Sequence, residues 1–221
     1  MSGGDKGETV VTPFLKNSFM TSYVVLMGYT GLTLIEALRT PFINVRHVMN
    51  IETTVSLVAG IVYSMFYESI KNAKTIDLQQ FTKIRYIDWS ITTPLIILVM
   101  MLFYKGNGNP SYLTYIQLIL LNWGMLASGY LGEEKIINRQ VGLFLGFVFF
   151  ALMLASFYMC CIAPSANHAV FYIFAVIWSG YGFAYLLDEE KKNIAYNGLD
   201  VVSKAVFGVI LYLFYGKVLK F

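Results

Sequence analysis

Charge is scarce in this chain: only 13% of its 221 residues are Asp, Glu, Lys or Arg, against 57% that are hydrophobic. A soluble domain of this length does not carry so much apolar surface, and the mean hydropathy of +0.62 points the same way. The formal net charge of +3 is small and scattered, which excludes a nucleic-acid partner as the organising feature. Cysteine is nearly absent. Its two copies, Cys160 and Cys161, are neighbours in an apolar segment, where adjacent helical residues cannot bridge, so no disulfide framework and no redox compartment follow. No metal site is expected, and no internal repeat or low-complexity tract stands out. Residues 1–16 are polar and lack a signal-peptide pattern, so the first hydrophobic segment is expected to be retained. The expected organisation is a polar N-terminal segment, 1–16, followed by one membrane domain, 17–221.

What the chain does have is seven apolar segments, at 19–38, 51–67, 85–104, 112–131, 141–162, 169–187 and 194–214. Each is near the roughly 20 residues that a membrane-crossing helix needs. They are too long and too uniformly apolar for barrel strands, so an all-α, seven-helix membrane bundle is the expected fold. Turn formers separate them: Arg39-Thr-Pro, Lys105-Gly-Asn-Gly-Asn-Pro, Ala163-Pro-Ser-Ala-Asn and Asp188-Glu-Glu-Lys-Lys-Asn.

Within the last segment lie two charges, Asp200 and Lys204, four residues apart and so on one helix face. Charged groups at membrane depth are costly and mark sites. A buried lysine amine can also form a Schiff base with a carbonyl compound. The third segment opens Arg85-Tyr-Ile-Asp88-Trp89-Ser-Ile-Thr92-Thr93-Pro94, which places Arg85, Asp88 and Thr92 on one face. A cation on Lys204 needs anions close by, and Asp88 and Asp200 are the candidates. Arg85 would let both carboxylates stay ionised, and Thr92 is within reach to donate to Asp88. The alternative is an ion-pair network that only ties helices together. The sixth segment carries Trp178, Tyr181 and Tyr185 as one aromatic stripe, which reads either as bundle packing or, with Trp89, as the wall of a polyene pocket. A hydroxyl of that stripe is in reach of Asp200.

Together these residues resemble the microbial (type 1) rhodopsins, over the whole chain. The resemblance rests on R-Y-x-D-W-x-x-T-T-P-L in the third segment, W-S-x-Y in the sixth and L-D-V-x-x-K-x-x-F-G in the seventh. It implies a bacteriorhodopsin-like bundle with an extracellular N-terminus, and all-trans retinal bound to Lys204 as a protonated Schiff base. It further implies that Asp88 is the primary counterion and proton acceptor, Asp200 the second counterion and Arg85 a gating arginine. Trp89, Thr93, Trp178, Tyr181 and Tyr185 become pocket residues, and Asn122, Met125 and Gly129 resemble the ring end of that pocket. Members commonly form homo-oligomers, so one is expected here. Charge bias alone favours the opposite orientation, because Lys6, Lys16, Lys71, Lys74, Lys83, Lys135, Arg139, Lys191 and Lys192 would all lie outside, against Arg39, Arg46, Lys105, Lys217 and Lys220 inside. The resemblance outweighs that bias.

The sequence departs from the pumps of that family in places. Eleven residues beyond Asp88, where a proton-donating carboxylate is usual, stands Val99; Gly182 replaces a common proline; and Lys192 occupies the position of a release glutamate, leaving Glu190 as the remaining one. Glu52, near the start of the second segment, is read as a surrogate donor or inner gate, or else as a helix N-terminal carboxylate favoured by the dipole. The short chain, the charged turn containing Glu36, Arg39 and Arg46, and the missing donor are similar to the rhodopsins of large algal viruses. Three functions remain open: outward light-driven proton pumping through the Asp88, Asp200, Arg85 and Thr92 set, a light-gated cation channel using Glu52, Asn193 and Asn197, and a photosensor that acts through a partner. The expected partners are the lipid bilayer and protons or other cations.

Overall fold

The computed structural model describes residues 8–104 and 111–215. Residue Lys6, the turn at 105–110 and Lys217 and Lys220 lie outside the described residues. Eight helices follow one another: α1 (Pro13–Arg39), α2 (Ile43–Ile70), α3 (Leu78–Tyr104), α4 (Tyr112–Glu133), α5 (Arg139–Cys161), α6 (Ala169–Tyr185), α7 (Glu189–Asp200) and α8 (Phe207–Tyr215). A π-helical stretch, Val201–Val206, joins α7 to α8 in one continuous rod, so the described residues form seven rods. Each rod touches the next, and α7 returns to α1, which closes the ring. Five of the rods are long and apolar enough to cross a membrane, and α6, at 17 residues, is a shorter apolar helix. Many large apolar side chains face outward, Leu32, Leu120, Phe144, Val176 and Phe183 among them, as a lipid-facing surface requires.

The helices begin earlier than apolarity alone suggests. α2 starts at Ile43 rather than 51, α3 at Leu78 rather than 85, and α7 at Glu189 rather than 194. Their first turns are polar, which a hydropathy reading assigns to loops although a helix end tolerates them well. Capping fixes several starts. Thr12 caps α1 ahead of Pro13, Ser111 caps α4, Asn138 caps α5 and Asp188 caps α7, each side chain accepting a backbone N–H of the first turn. Glu189 and Glu190 then sit where the helix dipole favours negative charge. A two-stranded antiparallel sheet was not expected: β1 (Glu8–Val10) pairs with β2 (Thr75–Asp77) and lies over the end where α1 begins. Part of the polar N-terminal segment is therefore ordered against the α2–α3 connection.

Pro94 sits inside α3 and cannot donate to the carbonyl of Ser90, four residues back. The Trp123 indole of α4 donates to that carbonyl at 3.0 Å, so the gap in the helix ladder is filled by the neighbouring helix.

Candidate functional site

Lys204 lies in the π-helical stretch, whose wider turn is a feature often found at functional positions. Its Nζ is 2.8 Å from Asp88 Oδ2 and 3.3 Å from Asp200 Oδ1. All three side chains are buried, as is Arg85, so two basic and two acidic side chains share one buried site.

The two carboxylates are held very differently. Asp200 Oδ1 accepts from Trp89 Nε1 at 3.1 Å and from the Tyr181 hydroxyl at 2.7 Å. Its Oδ2 accepts from the Tyr63 hydroxyl at 2.8 Å and from Arg85 Nη1 at 3.3 Å. Asp88 has Lys204 on Oδ2, and its Oδ1 has no hydrogen-bond partner among the described residues. Thr92 does not reach that carboxylate: its hydroxyl donates to the Asp88 backbone carbonyl at 2.9 Å, the usual back-bond of a helical threonine. Arg85 is likewise not shared between the two carboxylates by direct contact. Its ion pair is with Asp200, because its remaining donors are claimed by α2 and α7: Tyr63 at 2.6 Å, Asn193 at 3.4 Å and Asn197. Phe19, Tyr63, Phe66 and Tyr196 surround the guanidinium, their ring centroids 5.1 to 5.9 Å from its carbon. Sequence reading missed Tyr63, since a tyrosine in an apolar helix looks like ordinary packing; its one signal is a polar tip that needs a partner at that depth.

Beside Lys204 opens an apolar cavity between α3, α4, α5, α6 and the lysine. Of the expected pocket residues, Trp89, Thr93, Met125, Gly129, Trp178, Tyr181 and Tyr185 line it with Lys204. Asn122 does not. It is buried behind the wall and donates to Thr93 Oγ1 at 2.7 Å, so it positions a lining residue. Tyr86, Leu126, Phe147, Phe150, Tyr196 and Ser203 line the cavity too, and sequence reading did not single them out. The aromatic walls meet edge to face: Trp89 is T-shaped against Tyr86, Tyr181 and Tyr196. The walls are close-set, as a Cβ on Gly142 would stand 2.7 Å from the Ser128 carbonyl oxygen and one on Gly129 2.6 Å from the Tyr86 hydroxyl. Gly182 faces Phe147, which a Cβ there would strike.

Glu52 is not near a helix start. With α2 beginning at Ile43 it lies more than two turns inside, 2% exposed, and accepts from the Tyr29 hydroxyl of α1 at 3.3 Å. The dipole reading therefore falls away. Gly208, four residues beyond Lys204, is so close that a Cβ there would meet both Tyr29 and Glu52. Val99 is fully buried in the main apolar core. Arg39 and Arg46 are exposed, which favours a solvated turn over a plug. At the opposite end Glu190 accepts from Thr12 at 2.8 Å, and Lys192 is buried against Glu133 and Glu189.

A ring of seven helical rods around a buried lysine, two unequal carboxylates and an aromatic cavity defines a membrane protein of the rhodopsin type. The chain belongs to the bacteriorhodopsin-like protein family, whose sequence model matches residues 14–218. It is similar to the viral rhodopsin OLPVRII, at 33% identity and a TM-score of 0.86, covering 93% of this chain and 99% of that one. It is also similar to the green-light absorbing proteorhodopsin of Gamma-proteobacterium EBAC31A08, 28% identical over 149 residues. That match takes in 59% of this chain and 60% of the relative. The fold is shared with the light-driven proton pump LR (Mac) from Leptosphaeria maculans, at a TM-score of 0.76 and 17% identity over 95% of this chain and 98% of that one.

Proposed function

We propose that this chain is a light-driven ion transporter that moves protons outward, with all-trans retinal held on Lys204 and the N-terminus outside. The residues present fit such a group: one amine, 2% exposed, opens on an apolar, aromatic-walled cavity and has two carboxylates to answer its charge. Bound there as an imine, retinal would supply the visible absorption and the light-driven turn that changes where the Lys204 nitrogen points.

The unequal holding of the two carboxylates carries the reading. Asp200, with four hydrogen bonds besides its lysine contact, is fixed as the standing anion. Asp88, within transfer distance of the lysine nitrogen and with one oxygen unpartnered, is the group free to take its proton. Once Asp88 is neutral, Arg85 feels Asp200 alone and is drawn toward its anchors on α7. The proton is returned from the other end. Val99 cannot carry one, and Glu52 stands across from Gly208, about one turn of the seventh rod beyond Lys204. The channel reading draws on Asn193 and Asn197, but both are buried and committed to holding Arg85, which favours a pump. A homo-oligomer in the bilayer is part of this proposal.

Photocurrents recorded against voltage in cells supplied with retinal test it. A pump gives outward current of one sign across modest voltages, accompanied by acidification outside. Current that reverses at the equilibrium potential of a cation would establish the channel instead. Lys204→Ala should leave no visible absorption.

A further inference from the structure

Arg85 can only donate, so each neighbour on α7 must turn an oxygen toward it. For Asp200 that is automatic. For Asn193 and Asn197 it is not, because a side-chain amide has a donor end and an acceptor end of nearly equal size, and the wrong turn would set N–H against N–H. Both residues are buried, so a partner on the far side of each amide has to fix the turn.

Each amide has such a partner. Asn193 Nδ2 donates to the Glu189 carbonyl at 2.9 Å, one turn back in α7, which leaves Oδ1 for Arg85 Nε at 3.4 Å. Asn197 Nδ2 donates to Ser18 Oγ of α1 at 2.8 Å, which leaves Oδ1 for Arg85 Nη2. Ser18 acts there as acceptor only, because its own proton goes to the Leu15 carbonyl at 2.7 Å. From the guanidinium through the Asn197 amide and the Ser18 hydroxyl to the Leu15 carbonyl, every hydrogen bond therefore points the same way, and each strengthens the next.

The two locks hold on to different things. Asn193 is locked to its own helix. Asn197 is locked to α1, and Ser22 Oγ adds a second tie by donating to the Asn197 backbone carbonyl at 3.1 Å. That end of α1 is fastened in turn to the α2–α3 connection: Lys16 Nζ donates to the Lys71 carbonyl at 2.6 Å, and Val11 N to the Lys74 carbonyl at 2.9 Å, next to the β1–β2 pair. The Asn197 amide thus takes its orientation from a frame outside α7.

We infer that Ser18, acting through Asn197, is a positioning residue for Arg85. This rests on the outward-transport reading, in which Arg85 is drawn to α7 once Asp88 is neutral. While Asp88 is charged, its attraction adds to the hold on the guanidinium; afterwards the hydrogen-bond acceptors on α7 and Tyr63 act without it. The displaced arginine therefore depends more on the Asn197 oxygen, and Ser18 keeps that oxygen presented. Without the Ser18 hydroxyl, Asn197 Nδ2 loses its acceptor in a buried place and the amide is free to turn.

The test is time-resolved photovoltage on the retinal-loaded full chain in lipid, which reads charge moving across the membrane after a flash, recorded together with visible absorption. Ser18→Ala should leave the blue shift that marks loss of the Lys204 proton at its wild-type rate. The charge movement that follows should slow about fivefold, the scale of one hydrogen bond. Ser18→Thr keeps the hydroxyl and should keep wild-type timing. Asn197→Ala should slow the same phase, and adding Ser18→Ala to it should change nothing more, because the amide through which Ser18 acts is gone. Wild-type timing in Ser18→Ala overturns the assignment. So does slowing that Ser18→Thr shares, or that adds in full to Asn197→Ala, since a merely loosened α1 acts without the amide. If Asn197→Ala forms no pigment, Ser18→Ala against Ser18→Thr decides alone. Acidification by cells carrying wild type is read separately: its absence overturns the transport reading, whereas normal acidification with wild-type timing in Ser18→Ala overturns only the role of Ser18.

Discussion

Lys204 Nζ lies 2.8 Å from Asp88 Oδ2, and the other oxygen of that carboxylate has no partner among the described residues. Replacing Asp88 with Asn removes the proposed acceptor of the lysine proton and leaves Asp200 as the remaining carboxylate beside Lys204. Light-driven acidification by Asp88→Asn should fall by about 10²-fold or more, the scale of a lost proton-transfer partner. Absorption should move to longer wavelength, because an anion beside the cation stabilises its ground state. Acidification at the wild-type rate would show that Asp88 is not the acceptor.

Tyr63→Phe tests the other carboxylate. The Tyr63 hydroxyl accepts from Arg85 and donates to Asp200, so it joins the two buried charges as well as touching each. Its loss leaves two buried charged groups short of a hydrogen bond, at a cost of about 1–3 kcal/mol. A lowered midpoint of thermal bleaching should report this. The first proton transfer, followed as the blue shift, should change less than in Asp88→Asn, since the Tyr63 hydroxyl bonds Asp200 and Arg85 and not Asp88.

Much of this site was legible because membrane depth makes charge conspicuous. Asp88, Asp200, Lys204 and Arg85 stand out in apolar helices, and helical spacing puts them on shared faces. Contacts that depend on how helices turn against one another were not legible. Tyr63, Phe19 and Phe66 look like any apolar packing, yet they cage Arg85. Thr92 has the spacing to reach the Asp88 side chain, but its hydroxyl bonds the backbone, a choice made by its rotamer. Glu133 and Lys192 sit near helix ends, where charges are ordinary, so nothing in the chain marks them as buried. The pairing of Glu8 with Asp77 joins residues far apart in sequence, each in a short polar stretch with no strand periodicity.

Trp123→Phe should destabilise the bundle through a carbonyl it does not own. The Ser90 oxygen freed by Pro94 takes its hydrogen bond from the Trp123 indole, on a lipid-facing side where no solvent can replace it. The expected loss is about 1–2 kcal/mol, read as thermal bleaching in lipid. Adding Pro94→Ala, which restores a backbone donor for Ser90, should recover part of that loss. Additive damage in the double variant would disprove the compensation.

Glu52 and Gly208 give a test that separates charge from space. Glu52→Gln removes the proposed proton carrier, and Gly208→Ala keeps it but drives a methyl group into the Tyr29 hydroxyl and the Glu52 carboxylate. Both variants should form the blue-shifted state at the wild-type rate, because Asp88 and Lys204 are untouched. Both should leave it more slowly, by about tenfold or more for Glu52→Gln, in keeping with a lost proton-transfer group. Azide, a small diffusible proton carrier, should speed the decay of Glu52→Gln back toward wild type. For Gly208→Ala, the paired change Tyr29→Phe, which removes the clashing oxygen, should relieve the delay. Wild-type decay in Glu52→Gln would place the returning proton on another path, and a delay in Gly208→Ala that Tyr29→Phe leaves untouched would locate its cause away from Glu52.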